Sequence, residues 1–226
     1  LSISYQTVSE KLIEDLMVLT NESVAIFLDE HETPALFRIH PKPQEENIDK
    51  FKETIRFFGY QIDKPSDKVT NKDFMKLIKE LKDDHSATII KRMLVQTMEK
   101  AIYSSTDLGH FGQGLTNYLH FTSPIRRYPD LIVHRTIKDY IINRNKKDPM
   151  SEPRIDYLND AAKHTSERER NAMQAERKLM DIKKTRLMKD EIGTNKDGQI
   201  VSVTNFGLFI ELENFTQGLF RFETAK

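Results

Sequence analysis

Gly109-His-Phe-Gly-Gln-Gly-Leu-Thr-Asn-Tyr-Leu-His-Phe-Thr-Ser-Pro-Ile-Arg-Arg-Tyr-Pro-Asp130 is the stretch where the texture of the chain changes. Gly109, Gly112 and Gly114 interrupt any helix, and the residues from Tyr118 to Phe121 can run extended. Tyr128 precedes a proline and is pushed out of the helical region. Pro129 has no N–H to satisfy, so it suits the first turn of a new helix. Leu131, Ile132, Ile137, Tyr140 and Ile141 carry that helix over 129–144. The stretch therefore predicts a glycine-rich loop, a short extended segment and a turn that delivers its side chains to a helix N-terminus.

Upstream, the spacing predicts helices. In 7–30, Val8, Leu12, Leu16, Leu19 and Phe27 fall near one face. Pro34 then leads into a strand-like run at 35–40, closed by Pro41 and Pro43. Further helices are expected over 44–58, 71–82 and 87–102. Downstream, a basic linker at 143–149 precedes a long helix over 155–192, stopped by Gly193. The last segment reads as strands at 199–203 and 208–212, joined by a turn at Asn205-Phe206-Gly207, with a third strand beginning at 217. Three strands do not close a barrel, so the expected architecture is a mostly helical α+β core over 1–192 followed by a cut-short barrel over 193–226.

Composition narrows the function. The 226 residues are 38% apolar and 31% charged, enough for a core beneath a heavily charged surface. No apolar run approaches the length of a membrane span. With no cysteine, disulfides and thiolate metal sites are excluded, and a reducing, cytoplasmic setting fits. Residues 1–20 lack the blocks of a signal peptide, and a chain that opens on Leu1 is expected to be a piece of something longer. Lys plus Arg equals Asp plus Glu, 35 each, but the balance is uneven along the chain. Residues 1–54 hold 11 acidic and 5 basic side chains, 120–147 hold 2 and 7, and 163–189 hold 4 and 9. Two basic segments could build one wall for a polyanion; ordinary solvated helix faces are the alternative.

Several side chains are candidates for chemistry. Ser123 offers a hydroxyl, and Arg126 and Arg127 offer planar forks of donors just before a helix start, an arrangement suited to phosphate. A guanidinium also stabilises charge that builds on phosphoryl oxygens during cleavage. Alternatively, both arginines pair with the acidic first helix and only lock the fold. Tyr118, His120 and Phe121 could stack on unpaired bases, or belong to the core. Glu176 lies four residues after Ala172 and three before Leu179, bordering the apolar face of the long helix, where a carboxylate must find a partner or a role. Glu14 raises the same question, against a simply solvated position. His110, His120 and His134 lack zinc-ligand spacing, and Asp83-Asp84, the one paired Asp, looks like surface. No phosphate-loop, zinc-protease or serine-hydrolase motif is present.

The stretch from Gly109 to Arg135 closely resembles the signature of the ribonuclease II / ribonuclease R (RNB) exoribonucleases. Leu12-Ile-Glu-Asp-Leu-Met-Val-Leu-Thr-Asn-Glu22, Pro34-Ala-Leu-Phe-Arg-Ile-His40 and Ala175-Glu-Arg177 agree with it, and the whole chain resembles the C-terminal part of the ribonuclease R branch. The tail from Gly198 resembles the start of the OB-type RNA-binding domain that follows the nuclease core in this family.

The resemblance implies a processive, cytoplasmic 3′→5′ exoribonuclease that hydrolyses single-stranded RNA to nucleoside 5′-monophosphates with Mg²⁺. It implies a monomer with no membrane partner. Arg126 matches the arginine that contacts the scissile phosphate and stabilises its transition state. Glu176 matches an acid near the 3′-terminal nucleotides, and Glu14 an acid of the first-helix motif. Tyr118, His120, Ser123 and Arg127 flank that arginine as RNA-binding candidates. The family's Asp cluster for Mg²⁺ lies upstream of the segment that matches Leu1, so no metal ligand is expected in this chain and the chain alone is expected to be inactive. A non-catalytic RNA-binding module and a structural helical interaction domain are the rival classes.

Overall fold

The computed structural model describes residues 6–81, 85–142, 152–212, 214 and 216–224. The expected linker at 143–149 and the Asp83-Asp84 pair lie outside the described residues. Two compact units result, one from Gln6 to Glu167 and one from Arg168 onward.

In the first unit, α1 (Val8–Glu30) opens on a capping box: the Thr7 side chain accepts from the Glu10 N–H, and the Glu10 carboxylate accepts from the Thr7 N–H. Its buried residues are Asn21, Ala25 and Leu28. This corrects the expected face, because Val8, Leu12, Leu16 and Leu19 are exposed. The buried stripe occupies the C-terminal half, where Ala25 and Leu28 pack with Phe37, Ile39, Leu119 and Val133.

Strand β1 (Phe37–Ile39) pairs antiparallel with β2 (Ile102–Ser104), placing Arg38 opposite Tyr103. The Arg38 guanidinium lies 4.6 Å from the Tyr103 ring centroid. On β1's other edge, Leu119 bridges Phe37, and the Arg38 N–H donates to the Tyr118 carbonyl at 2.9 Å. The extended segment at 118–121 is therefore present, as a single rung.

Helices α2 (Glu45–Phe57), α3 (Asn71–Glu80) and α4 (His85–Thr97) enclose a separate core of Ile48, Phe51, Ile55, Phe74, Ile90 and Leu94. The expected helix over 87–102 is thus shorter, and its last residue becomes β2. Thr97 bonds back to the Met93 carbonyl, while the Glu99 carbonyl is claimed by His40 Nε2 at 2.7 Å and the Tyr103 N–H by Ser166 Oγ at 2.9 Å. The last two of these are tertiary bonds, and they outweigh helical spacing that would otherwise run on.

Helix α5 (Tyr128–Ile142) starts one residue before Pro129. Its Ile132 packs with Leu36, Tyr103 and with Leu158, Ala161 and Ala162 of α6 (Glu152–Met188). No described helix is long and apolar enough to cross a membrane. In the second unit, β3 (Gly198–Thr204), β4 (Gly207–Leu212) and β5 (Gln217–Arg221) form an antiparallel meander with a bulge between Ile200 and Ser202. A Cβ at Gly207 would stand 2.3 Å from the Phe220 carbonyl, so only glycine lets β4 and β5 meet there. The strands fall within a residue or so of their sequence-predicted bounds.

Candidate functional site

The loop from Phe121 to Arg127 is held from three sides. Asn21, 3% exposed on α1, receives the backbone N–H groups of Phe121 (2.9 Å) and Thr122 (3.2 Å) on its Oδ1. Asp130, fully buried in the first turn of α5, receives the Ser123 N–H at 2.8 Å. The Phe121 ring stacks on His134 with centroids 4.0 Å apart, and His134 Nε2 meets the Phe121 carbonyl at 2.9 Å. A turn follows, in which the Arg126 and Arg127 N–H groups both reach the Ser123 carbonyl.

The two adjacent arginines have opposite fates. Arg127 lies against its own helix, its guanidinium 2.8 Å from Asp130 Oδ1. It does lock the fold, though through Asp130 and not through the acidic first helix. Arg126 projects into solvent beside a fully exposed Ile125, and among the described residues none pairs with it. A guanidinium on an anchored loop two residues before a helix start can grip a phosphate.

His120 registers the local field. Burial pushes its imidazole down to about 3, and the positive charges of Arg127, Arg38 and Arg126 add to the effect. The ring is therefore neutral at pH 7 and shares a 2.9 Å hydrogen bond with the Tyr103 hydroxyl. His110 is likewise held down to about 4, by burial and then by His40 and Arg38. Three arginines thus reinforce burial in keeping His120 neutral, a local excess of basic groups that the chain's zero net charge conceals.

Not every expected site residue is available for binding. Tyr118 is 4% exposed, ringed by His110 and His120, with its hydroxyl accepting from Asn21 Nδ2 at 3.1 Å. Base stacking by Tyr118 is therefore corrected: its ring is core. Ser123 and His120 are half-buried in the same loop region. Glu14 is exposed on α1, where it accepts from Gln6 Nε2 at 2.5 Å and lies 3.8 Å from Lys11 Nζ. Glu176 belongs to the second unit and is exposed on α6, flanked by exposed Met173 and Leu179, so burial imposes no partner on it. Sequence reasoning assigned no role to Asn21 or Asp130. The available signal for Asn21 was an amide at the i, i+4, i+7 positions shared with Ala25 and Leu28.

Among the described residues, no group of three or more His, Asp or Glu could hold a metal ion. The described residues offer no carboxylate cluster of the kind a Mg²⁺ site needs.

The RNB domain matches residues 1–143. Ribonuclease R 1 of Lactococcus lactis is 38% identical over 219 residues, covering 97% of this chain and 27% of its own length. Ribonuclease R of Aquifex aeolicus is 38% identical, covering 96% of the chain and 30% of its own. Mycoplasma genitalium RNase R, solved in complex with ribose methylated single-stranded RNA, superposes with a TM-score of 0.89 at 31% identity, over 98% of this chain and 35% of that one. The chain thus spans under a third of the length of these curated relatives. With the loop and helices matched along most of its length, the chain belongs to the RNB domain family and is a homologue of ribonuclease R.

Proposed function

We propose that this chain is the C-terminal part of the catalytic region of a processive 3′→5′ exoribonuclease, followed by the start of an OB-type RNA-binding barrel. The parent enzyme hydrolyses single-stranded RNA to nucleoside 5′-monophosphates in the cytoplasm and acts as a monomer. The Asp cluster that binds its Mg²⁺ lies in a segment outside this chain, and the chain alone does not cleave RNA. The observation that carries this proposal is Arg126, exposed and without a described partner on a loop whose backbone is tied to Asn21 and Asp130.

Arg126 contacts the scissile phosphate and stabilises the charge that grows on its oxygens, an interaction stronger in the transition state than in the ground state. Ser123 and the half-buried face of His120 line the same approach, and Arg127 supports it from below through Asp130. Glu176 faces the 3′-terminal nucleotides, and Glu14 contributes at the first helix. The RNA complex of the Mycoplasma relative supports the substrate class.

The alternative is a module that binds RNA without cleaving it, which a full-length protein lacking the Asp cluster upstream of this segment would favour. Degradation of a 3′-tailed RNA by the full-length protein, with and without Mg²⁺, separates the two. Stepwise loss from the 3′ end with mononucleotide product supports the exoribonuclease; binding without loss supports the module. Arg126→Ala is expected to lower the cleavage rate by about 10²–10³-fold while RNA affinity falls only modestly. Equal losses of both would reduce Arg126 to an anchor.

A further inference from the structure

Three consecutive backbone N–H groups, those of Phe121, Thr122 and Ser123, point at buried side-chain oxygens. Two of those bonds end on Asn21 of α1 and one on Asp130 of α5. A loop is ordinarily solvated, and its amides are free to turn toward water. Here two helices from distant parts of the chain replace that water with fixed acceptors. An amide at the Asn21 position is otherwise a poor choice. It is 3% exposed, lies on the stripe that buries Ala25 and Leu28, and costs stability unless both its ends are bonded.

Both ends are bonded. Because Oδ1 faces two N–H donors, Nδ2 must face the Tyr118 hydroxyl, and the orientation of the amide is fixed by its partners. Leucine would fill the same space without leaving Asn21's polar cost. What leucine lacks is the means to hold the loop.

We infer that Asn21, acting with Asp130, is a positioning residue for Arg126: it fixes the loop backbone so that the guanidinium meets the phosphate in one geometry. This rests on the exoribonuclease reading of Arg126 and adds the residue that aims it. Asn21 touches no substrate and acts only through the loop. Asp130 has a second duty, since its Oδ1 also receives Arg127, so Asn21 is the cleaner of the two to test.

The test uses the full-length protein carrying Asn21→Leu, Asn21→Asp, Arg126→Ala and the double variant Asn21→Leu/Arg126→Ala. Single-turnover cleavage, RNA affinity and hydrogen exchange of the peptide covering 121–127 are measured for each. Asn21→Leu is expected to slow cleavage about 100-fold, the scale of a misplaced group, with affinity held within about threefold. Asn21→Asp keeps an oxygen before both loop amides and is expected to recover most of that loss. In the Arg126→Ala background, Asn21→Leu is expected to cost almost nothing further, because residues that act through one another are not additive. Exchange at 121–127 is expected to accelerate in Asn21→Leu.

A loss of the same size with and without Arg126, or equal losses in the Leu and Asp variants, would overturn the inference and leave Asn21 a general packing residue. Should Asn21→Leu not fold, Asn21→Ser, polar but too short to reach the amides, takes its place. If the unaltered full-length protein does not degrade RNA, the exoribonuclease reading falls and exchange alone decides. Unchanged protection at 121–127 then overturns the positioning role, and faster exchange supports it for a phosphate clamp.

Discussion

Arg126 and Arg127 illustrate how far single residues carry their own explanation. Both are arginines in one turn, yet one is spent on Asp130 and the other is free for phosphate. Replacing Arg127 by Met leaves the buried Asp130 charge uncompensated and is expected to cost about 3 kcal/mol in urea unfolding of the folded protein. His120 gives a pH signature. The unfolded chain takes up a proton there near pH 6.5, whereas the folded chain resists until about 3. Stability is therefore complete above pH 6.5 and falls as the pH drops through that window, by about 2 kcal/mol at pH 5. His120→Gln, which keeps an acceptor for Tyr103, is expected to flatten the fall in urea midpoints between pH 7 and 5. The arginines were legible in the sequence because guanidinium next to a helix start is informative by itself. Asn21 was not, because the partners that give it meaning lie about 100 positions away.

At the scale of elements, periodicity identified every described α-helix of the first unit, and it failed where a tertiary bond competed with it. Residues 98–102 keep helical spacing, but the Glu99 carbonyl is taken by His40 and the chain is drawn into β2. The apolar face of α1 was misplaced for a related reason: spacing locates a stripe but not which turns of it are covered. His40 also sets a tight junction in the first unit. Its Nδ1 accepts the Gly112 N–H at 2.9 Å while its Nε2–H donates to Glu99, so the ring has no room to move. A Cβ on Gly112 would lie 2.4 Å from that Nδ1. Gly112→Ala is expected to cost about 2–3 kcal/mol through forced repacking, read as a lowered urea midpoint with an unchanged slope. No property of Gly112 in the sequence distinguishes it from Gly114, whose added Cβ would meet only the Asn71 side chain at 3.6 Å.

For the whole molecule, charge is the property that the totals hid. A net charge of zero conceals basic segments around Arg126 and along α6, and RNA binding by the full-length protein should register them. Affinity for single-stranded RNA is expected to fall steeply with salt, with a log–log slope of about −0.7 for each phosphate neutralised. Arg126→Ala should reduce that slope by about one such increment, measured by titration at several salt concentrations. A salt-insensitive affinity would instead favour a structural interaction domain.

The bonds from Asn21 to Phe121 and Tyr118 span 100 and 97 positions. Closing so long a stretch of chain is slow compared with winding a helix, because the entropy of closure must be met before the contact returns anything. Asp130 adds that the start of α5 must also be in place. During synthesis, Asn21 on α1 waits about 100 residues for the loop it anchors, and Asp130 arrives only with α5. The proposed grip on phosphate therefore has to wait until the first turn of α5 has been made.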